Sequence, residues 1–106
     1  ELKQVMQQQK IYRNPIISLV FIADQLNISP GYLSRLINTL TDGNFNDFIN
    51  SFRVNDVKKK LRNPEFDNYS ILSIGLESGF NSKSVFYTTF KKQTGVSPSE
   101  YRKANI

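Results

Sequence analysis

Ile22-Ala23-Asp24-Gln25-Leu26-Asn27-Ile28 returns in physical character 52 residues on, as Ile74-Gly75-Leu76-Glu77-Ser78-Gly79-Phe80. Ser29, Leu33, Ile37, Asp42 and Phe48 are matched 53 residues on by Ser82, Phe86, Phe90, Gly95 and Tyr101, the one inserted residue being Asn81. Each copy reads as a short helix, a tight turn and a second helix, the layout of a helix-turn-helix. Asn27 tolerates the left-handed backbone that such a turn needs, and Gly79 tolerates it better still. The copies thus match in role where they differ in letter. Two such units in one small basic chain predict contact with DNA at two places.

The remaining elements extend outward from the repeat. Glu1 to about Tyr12 reads as a helix with Leu2, Val5, Met6 and Gln9 on one face. Asn14-Pro15 ends it, because the residue before proline resists helical geometry. Ser18 caps a helix reaching about Leu26, with Leu19, Ile22, Ala23 and Leu26 at core spacing. Ser29-Pro30 starts the next, with Tyr32, Leu33, Leu36, Ile37 and Leu40 read as inward and Asp42-Gly43 as the break. Asn44 caps a long helix from Phe45 to about Leu61. Its expected buried stripe is Phe45, Phe48, Ile49, Phe52, Val57 and Leu61, on a rod of ~25 Å. A loop follows to Tyr69, and Ser70 caps Ile71–Ser78. Ser82 opens a helix to about Thr94 with Val85, Phe86 and Phe90 inward, and Gly95 ends it. Ser97-Pro98-Ser99-Glu100 is a capping box with proline first, opening a last short helix. The expectation is an all-α fold of about seven helices. Residues 1–44 and 62–106 form two helix-turn-helix subdomains, and the connecting helix 45–61 joins them.

Composition narrows the function. With 106 residues, 39% of them hydrophobic, the chain suits one domain or two very small subdomains. It has no Cys and no His, which removes disulfides, thiol and imidazole catalysis and cysteine-histidine zinc sites. The carboxylates are scattered and no glycine-rich phosphate loop exists, so neither an enzyme nor a cofactor is expected. No apolar run approaches a membrane span. The start at Glu1 without a leader pattern reads as a piece cut from a longer protein. Net charge is +5, with nine Lys/Arg against five acids in residues 54–106, and such a balance draws polyanions.

Ser70-Ile71-Leu72-Ser73-Ile74-Gly75-Leu76-Glu77-Ser78-Gly79-Phe80-Asn81-Ser82, then Phe86, Phe90-Lys91-Lys92, Gly95 and Ser97-Pro98-Ser99-Glu100-Tyr101-Arg102, closely resemble the DNA-binding domain of AraC/XylS transcription regulators. Ile22-Ala23, Leu26, Ile28-Ser29, Tyr32-Leu33-Ser34-Arg35-Leu36, Phe45, Phe48-Ile49 and Arg53 fit the same pattern, so the resemblance runs from about Tyr12 to Arg102. It implies two helix-turn-helix units, each placing its second helix in a major groove on one face of double-stranded DNA. It also implies a bacterial, cytoplasmic regulator with a sensing part elsewhere. RNA polymerase is then an expected partner of the full-length protein, for which an oligomer is left open, while the isolated domain is expected to be a monomer. The recognition positions carried over are Gly31, Ser34 and Arg35, and Lys83, Ser84, Tyr87 and Thr88. This chain departs from the family at Thr88, where Arg is frequent, at Asp42, where Gly is usual, and at Val57, where Ala is usual.

By residue chemistry, Arg35 suits the guanine O6 and N7 acceptors, or a phosphate. Lys83, Ser84, Tyr87 and Thr88 are expected on one face, opposite Val85 and Phe86. Ser29, Asn81 and Ser82 sit at helix starts, where caps and phosphate contacts are compatible. Lys91, Lys92, Arg102 and Lys103 read either as phosphate clamps or as a solvated face. Lys58-Lys59-Lys60 reads as a solvated face, and Arg53 as a structural bond or a phosphate contact. The rival function is a helical protein-interaction module of the same fold that does not bind DNA.

Overall fold

The computed structural model describes residues 2–41 and 43–104. The expected start at Glu1 and break at Asp42 lie outside the described residues. Seven α-helices are found among those residues: α1 Leu2–Gln9, α2 Leu19–Gln25, α3 Pro30–Thr41, α4 Phe45–Arg62, α5 Ile71–Glu77, α6 Lys83–Thr94 and α7 Pro98–Ala104. The molecule measures 43 × 24 × 22 Å. α4 runs between two separate apolar clusters. One gathers Leu2, Met6, Tyr12, Ile22, Ala23, Leu33, Ile37, Phe48 and Ile49, and the other Val54, Val57, Leu61, Ile74, Phe80, Phe86 and Phe90.

Local chemistry sets the helix limits where it was expected to. The Asn44 side chain accepts from Asp47 N at 2.9 Å and Asp47 answers at Asn44 N, a reciprocal box that starts α4. The hydroxyls of Ser18, Ser29, Ser70, Ser82 and Ser97 each accept from a backbone N–H three residues on. Asn27 and Gly79 both have positive φ, 57° and 116°, at equivalent places in the two turns.

Two expectations change. The first helix is interrupted, because Lys10 adopts the left-handed conformation (φ 51°) and a 3-10 turn, Ile11–Arg13, follows. That reversal swings Tyr12 into the first cluster, where its ring stacks on Phe52 at 5.9 Å. The apolar face of α4 is also two stripes rather than one. Phe45, Phe48, Ile49 and Phe52 pack on the first cluster, and Val54, Val57 and Leu61 form part of the second. At 100° per residue the two stripes point roughly 160° apart, so one helix serves two cores on different sides.

Polar groups cross between the halves. Asp56, on α4 and 6% exposed, accepts from Arg13 Nε at 2.9 Å and Nη2 at 2.8 Å. It also pairs with Lys60 Nζ at 3.1 Å, and Lys60 donates on to Ser78 Oγ at 3.2 Å, at the end of α5. Burial pushes the Asp56 carboxyl upward, but the hydrogen bonds and charges of Arg13 and Lys60 outweigh it and hold the group below the usual aspartate value. Arg53 donates from Nε to the Tyr12 carbonyl at 2.8 Å and from Nη2 to the Asn14 carbonyl at 3.0 Å.

Two stability outcomes follow from these contacts. A Cβ added at Gly75 would collide with the ring of Phe86, which is fully buried. Gly75→Ala should therefore lose about 1–3 kcal/mol from overpacking, read from the urea midpoint, despite alanine's better helix propensity. Pairing it with Phe86→Leu should recover part of that loss. Asp56 titrates near pH 3.9 when unfolded and lower when folded, so its contribution is whole above about pH 4 and is lost as pH falls through the lowered value. Urea midpoints measured from pH 6 down to 2 should drop in that acid range, and Asp56→Asn should drop less steeply there.

Candidate nucleic-acid interface

α3 and α6 are each held by only two fully inward side chains, Leu33 and Ile37 in one and Phe86 and Phe90 in the other. They occupy matching places in the repeat. Everything on the opposite side of each helix is left to solvent.

On α3, Gly31 and Arg35 are exposed and Ser34 is half-buried. A Cβ built on Gly31 would lie 3.8 Å from Arg35 Nη1, so the guanidinium reaches back over the backbone of the first turn. Long side chains on a helix lean this way, and the glycine leaves the space open. Among the described residues no carboxylate lies within ion-pair distance of Arg35, so its five donors remain available. Ser29 Oγ accepts from Tyr32 N at 3.1 Å, capping the helix.

On α6, Ser84 and Thr88 are exposed, as are Lys91 and Lys92 in its last turn. Cations there also complement the negative end of the helix dipole. Lys83 is exposed, and its Nζ stands 5.6 Å over the ring of Tyr87. Tyr87 is half-buried and meets Phe86 edge-on at 5.1 Å. Lys83 and Tyr87 thus form the margin of the face nearest the core, and Ser84, Thr88 and Lys91 its middle. Asn81 is exposed in the turn before the helix, and Ser82 Oγ accepts from Val85 N at 3.2 Å.

Several sequence expectations are corrected here. Val85 is 45% exposed and Tyr32 50% exposed, although both were expected inward. They are the same position in the two copies, one residue past Ser84 and Gly31. Leu40 is also exposed, at the position that Gln93 holds in the second copy. Arg102 donates to the carbonyls of Phe66 (2.7 Å), Tyr69 (3.0 Å) and Asp67 (3.3 Å), which ties the loop after α4 to α7 and occupies it structurally. Lys60 is buried in the Asp56 pair, so of the lysine run only Lys59 is fully exposed and Lys58 is half-buried. Arg53 takes the structural role. Asn38 was not singled out in the sequence, yet it is exposed one turn beyond Arg35, where the second copy has Lys91. The 53-residue offset alone was enough to find it.

The family described as a helix-turn-helix domain matches residues 22–104, most of the chain. The chain belongs to the AraC/XylS family of helix-turn-helix regulators. It is 33% identical over 82 residues to the melibiose operon regulatory protein of Escherichia coli, covering 77% of this chain and 26% of that protein. The chain thus spans about a quarter of the length of that curated relative. Among solved structures, it is similar to the C-terminal domain of AraT, a response regulator from Geobacillus stearothermophilus, with a TM-score of 0.78 and 30% identity, covering 97% of this chain and 84% of that one. A transcriptional regulator of AraC type from Chromobacterium violaceum matches with a TM-score of 0.75 and 26% identity over 84% of this chain and 77% of its own. As a member of this AraC/XylS family, the chain is a DNA-binding domain of the transcription-regulator type.

Proposed function

We propose that this domain reads a specific double-stranded DNA sequence, with α3 and α6 each in a major-groove segment on one face of the duplex. The observation that carries the reading is the contrast inside the repeat. Caps, turns and inward residues agree between the copies, while the outward residues differ. Gly31, Ser34, Arg35 and Asn38 stand where the second copy has Ser84, Tyr87, Thr88 and Lys91. Arg35 is the candidate for a bidentate contact to guanine, and Val85 for an apolar contact to a thymine methyl. Ser29, Asn81, Ser82 and Lys92 are the candidates for phosphate contacts that fix register, with Lys83 beside them.

One turn of B-DNA is ~34 Å, and the 18 residues of α4 span ~27 Å, so two helices on one face favour a bent duplex. Because one chain carries both reading helices, the isolated domain acts as a monomer on a non-palindromic site, with residues 1–44 and 62–106 as its two halves. In a regulator of the length of its relatives, the setting is the bacterial cytoplasm and the further partner RNA polymerase.

Site selection from random duplex DNA, followed by binding assays, tests the reading. The selected site should hold two short, different blocks, and affinity should fall with salt at a log–log slope of about −0.9 per phosphate neutralised. A flat salt response on every duplex would favour a protein-interaction module instead. Arg35→Ala should cost ~1–3 kcal/mol on the preferred site and relax preference in one block only, as read by repeating the selection. A uniform loss on all sequences would reassign Arg35 to phosphate.

A further inference from the structure

We infer that the segment Tyr12–Asn14, clamped by Asp56 and Arg53, sets the spacing between DNA blocks that the domain accepts. The inference rests on the two-helix reading and deepens it. The segment belongs to the first half by packing, since the Tyr12 ring lies in the first cluster and stacks on Phe52. Its backbone, however, meets the second half. A Cβ added at Gly79, in the turn before α6, would collide with the Tyr12 carbonyl and come within 3.0 Å of Arg13 Cα and 2.7 Å of Arg53 Nε. Arg53 holds that carbonyl, while its guanidinium carbon lies 5.9 Å from the centroid of the Phe80 ring in the second cluster.

A second polar line runs beside the first. Arg13 places two hydrogen bonds on Asp56, 43 residues away, and Asp56 pairs with Lys60, which donates to Ser78 Oγ. Ser78 is fully buried and ends α5, directly before Gly79. One continuous chain of contacts therefore links the first core to the turn that aims α6. An apolar contact is non-directional. A bidentate Arg–carboxylate pair with fixed fork geometry is not, so this line holds an angle as well as a distance. Arg13, Asp56 and Lys60 are positioning residues that touch no DNA in the two-helix reading.

The test compares affinities for the selected site and for sites with one base pair added or removed between the blocks. The parent protein should bind the altered sites at least tenfold more weakly. Asp56→Asn and Arg13→Gln should bind all three sites within about threefold of one another, while their sequence preference inside each block stays unchanged. Arg13→Gln leaves the Asp56–Lys60 pair in place and serves where Asp56→Asn does not fold. A second reading needs no DNA. The chain has no cysteine, so Leu40→Cys with Gln93→Cys gives two unique, exposed sites for spin labels. The label-to-label distance distribution should be narrow in the parent background and broader with Arg13→Gln. A lower melting temperature with an unchanged spacing profile and distance width would show a merely structural role and overturn the inference. A parent protein indifferent to spacing would overturn the two-helix reading, and this inference with it. A sharp preference kept by both the parent and the variants would overturn the inference alone.

Discussion

The guanidinium of Arg53 is the contact on which the arrangement of the two halves depends. The Tyr12 carbonyl lies in a turn with no strand or long helix to satisfy it, on a buried residue, while the Asn14 carbonyl also accepts from Ile17 N at 3.2 Å. Leaving a buried carbonyl such as that of Tyr12 unpaired costs ~1–3 kcal/mol. Arg53 supplies both donors from one side chain, and its Nη1 also reaches Asn50 Oδ1 at 3.1 Å. Burial lowers its pKa from the ordinary arginine value, but an arginine has so much margin that the charge stays. With these carbonyls satisfied, the turn can be sandwiched between a stacked Tyr12–Phe52 pair on one side and Gly79 on the other. The Arg13–Asp56 pair then holds the same segment from its other side.

A reading helix has to be firmly attached and yet almost entirely exposed. In both copies the compromise is the same: two large apolar residues one turn apart on the inner side, a serine cap at the start, and nothing else buried. Aromatic packing does the anchoring in the second copy, where Phe86 meets Phe80 at 5.2 Å and Phe90 meets Tyr101 edge-on at 5.7 Å. The first copy uses Leu33 and Ile37 instead, and has α1 laid over its core to complete the burial. The capping box of Ser97 and Glu100, both bonds near 3 Å, starts the helix that carries Tyr101 back to that second core.

Much of this was legible in the residues, because caps and turns are local. Ser18, Ser29, Asn44, Ser70, Ser82 and Ser97 mark their helices within three residues of sequence, and Asn27 and Gly79 mark the left-handed turns. What was not legible is long-range or angular. Nothing in the neighbourhood of Asp56 announces Arg13, 43 residues away, and Lys60 reads like Lys58 and Lys59 until α4 is given an orientation. The single stripe expected on α4 failed because helical spacing reports a face only when that face stays constant, and here it turns midway. Tyr32, Val85 and Leu40 were expected inward on apolarity alone. Of these only Leu40 carried a contrary sign, the polar Gln93 at its place in the second copy.

The two copies also differ in how their paired helices approach. Gly75 stands against the Phe86 ring in the second unit, and the equivalent positions in the first hold Ala23 and Leu33, both buried in the first cluster. The larger ring is accepted only because its facing residue lacks a Cβ. The internal symmetry is therefore one of outline, not of interchangeable parts. A second unit given alanine at Gly75 meets a ring already in place. The second unit can exchange this inner pair only in both members at once. Chimaeras that graft one reading helix into the other's socket thus have to carry the facing residue along with it.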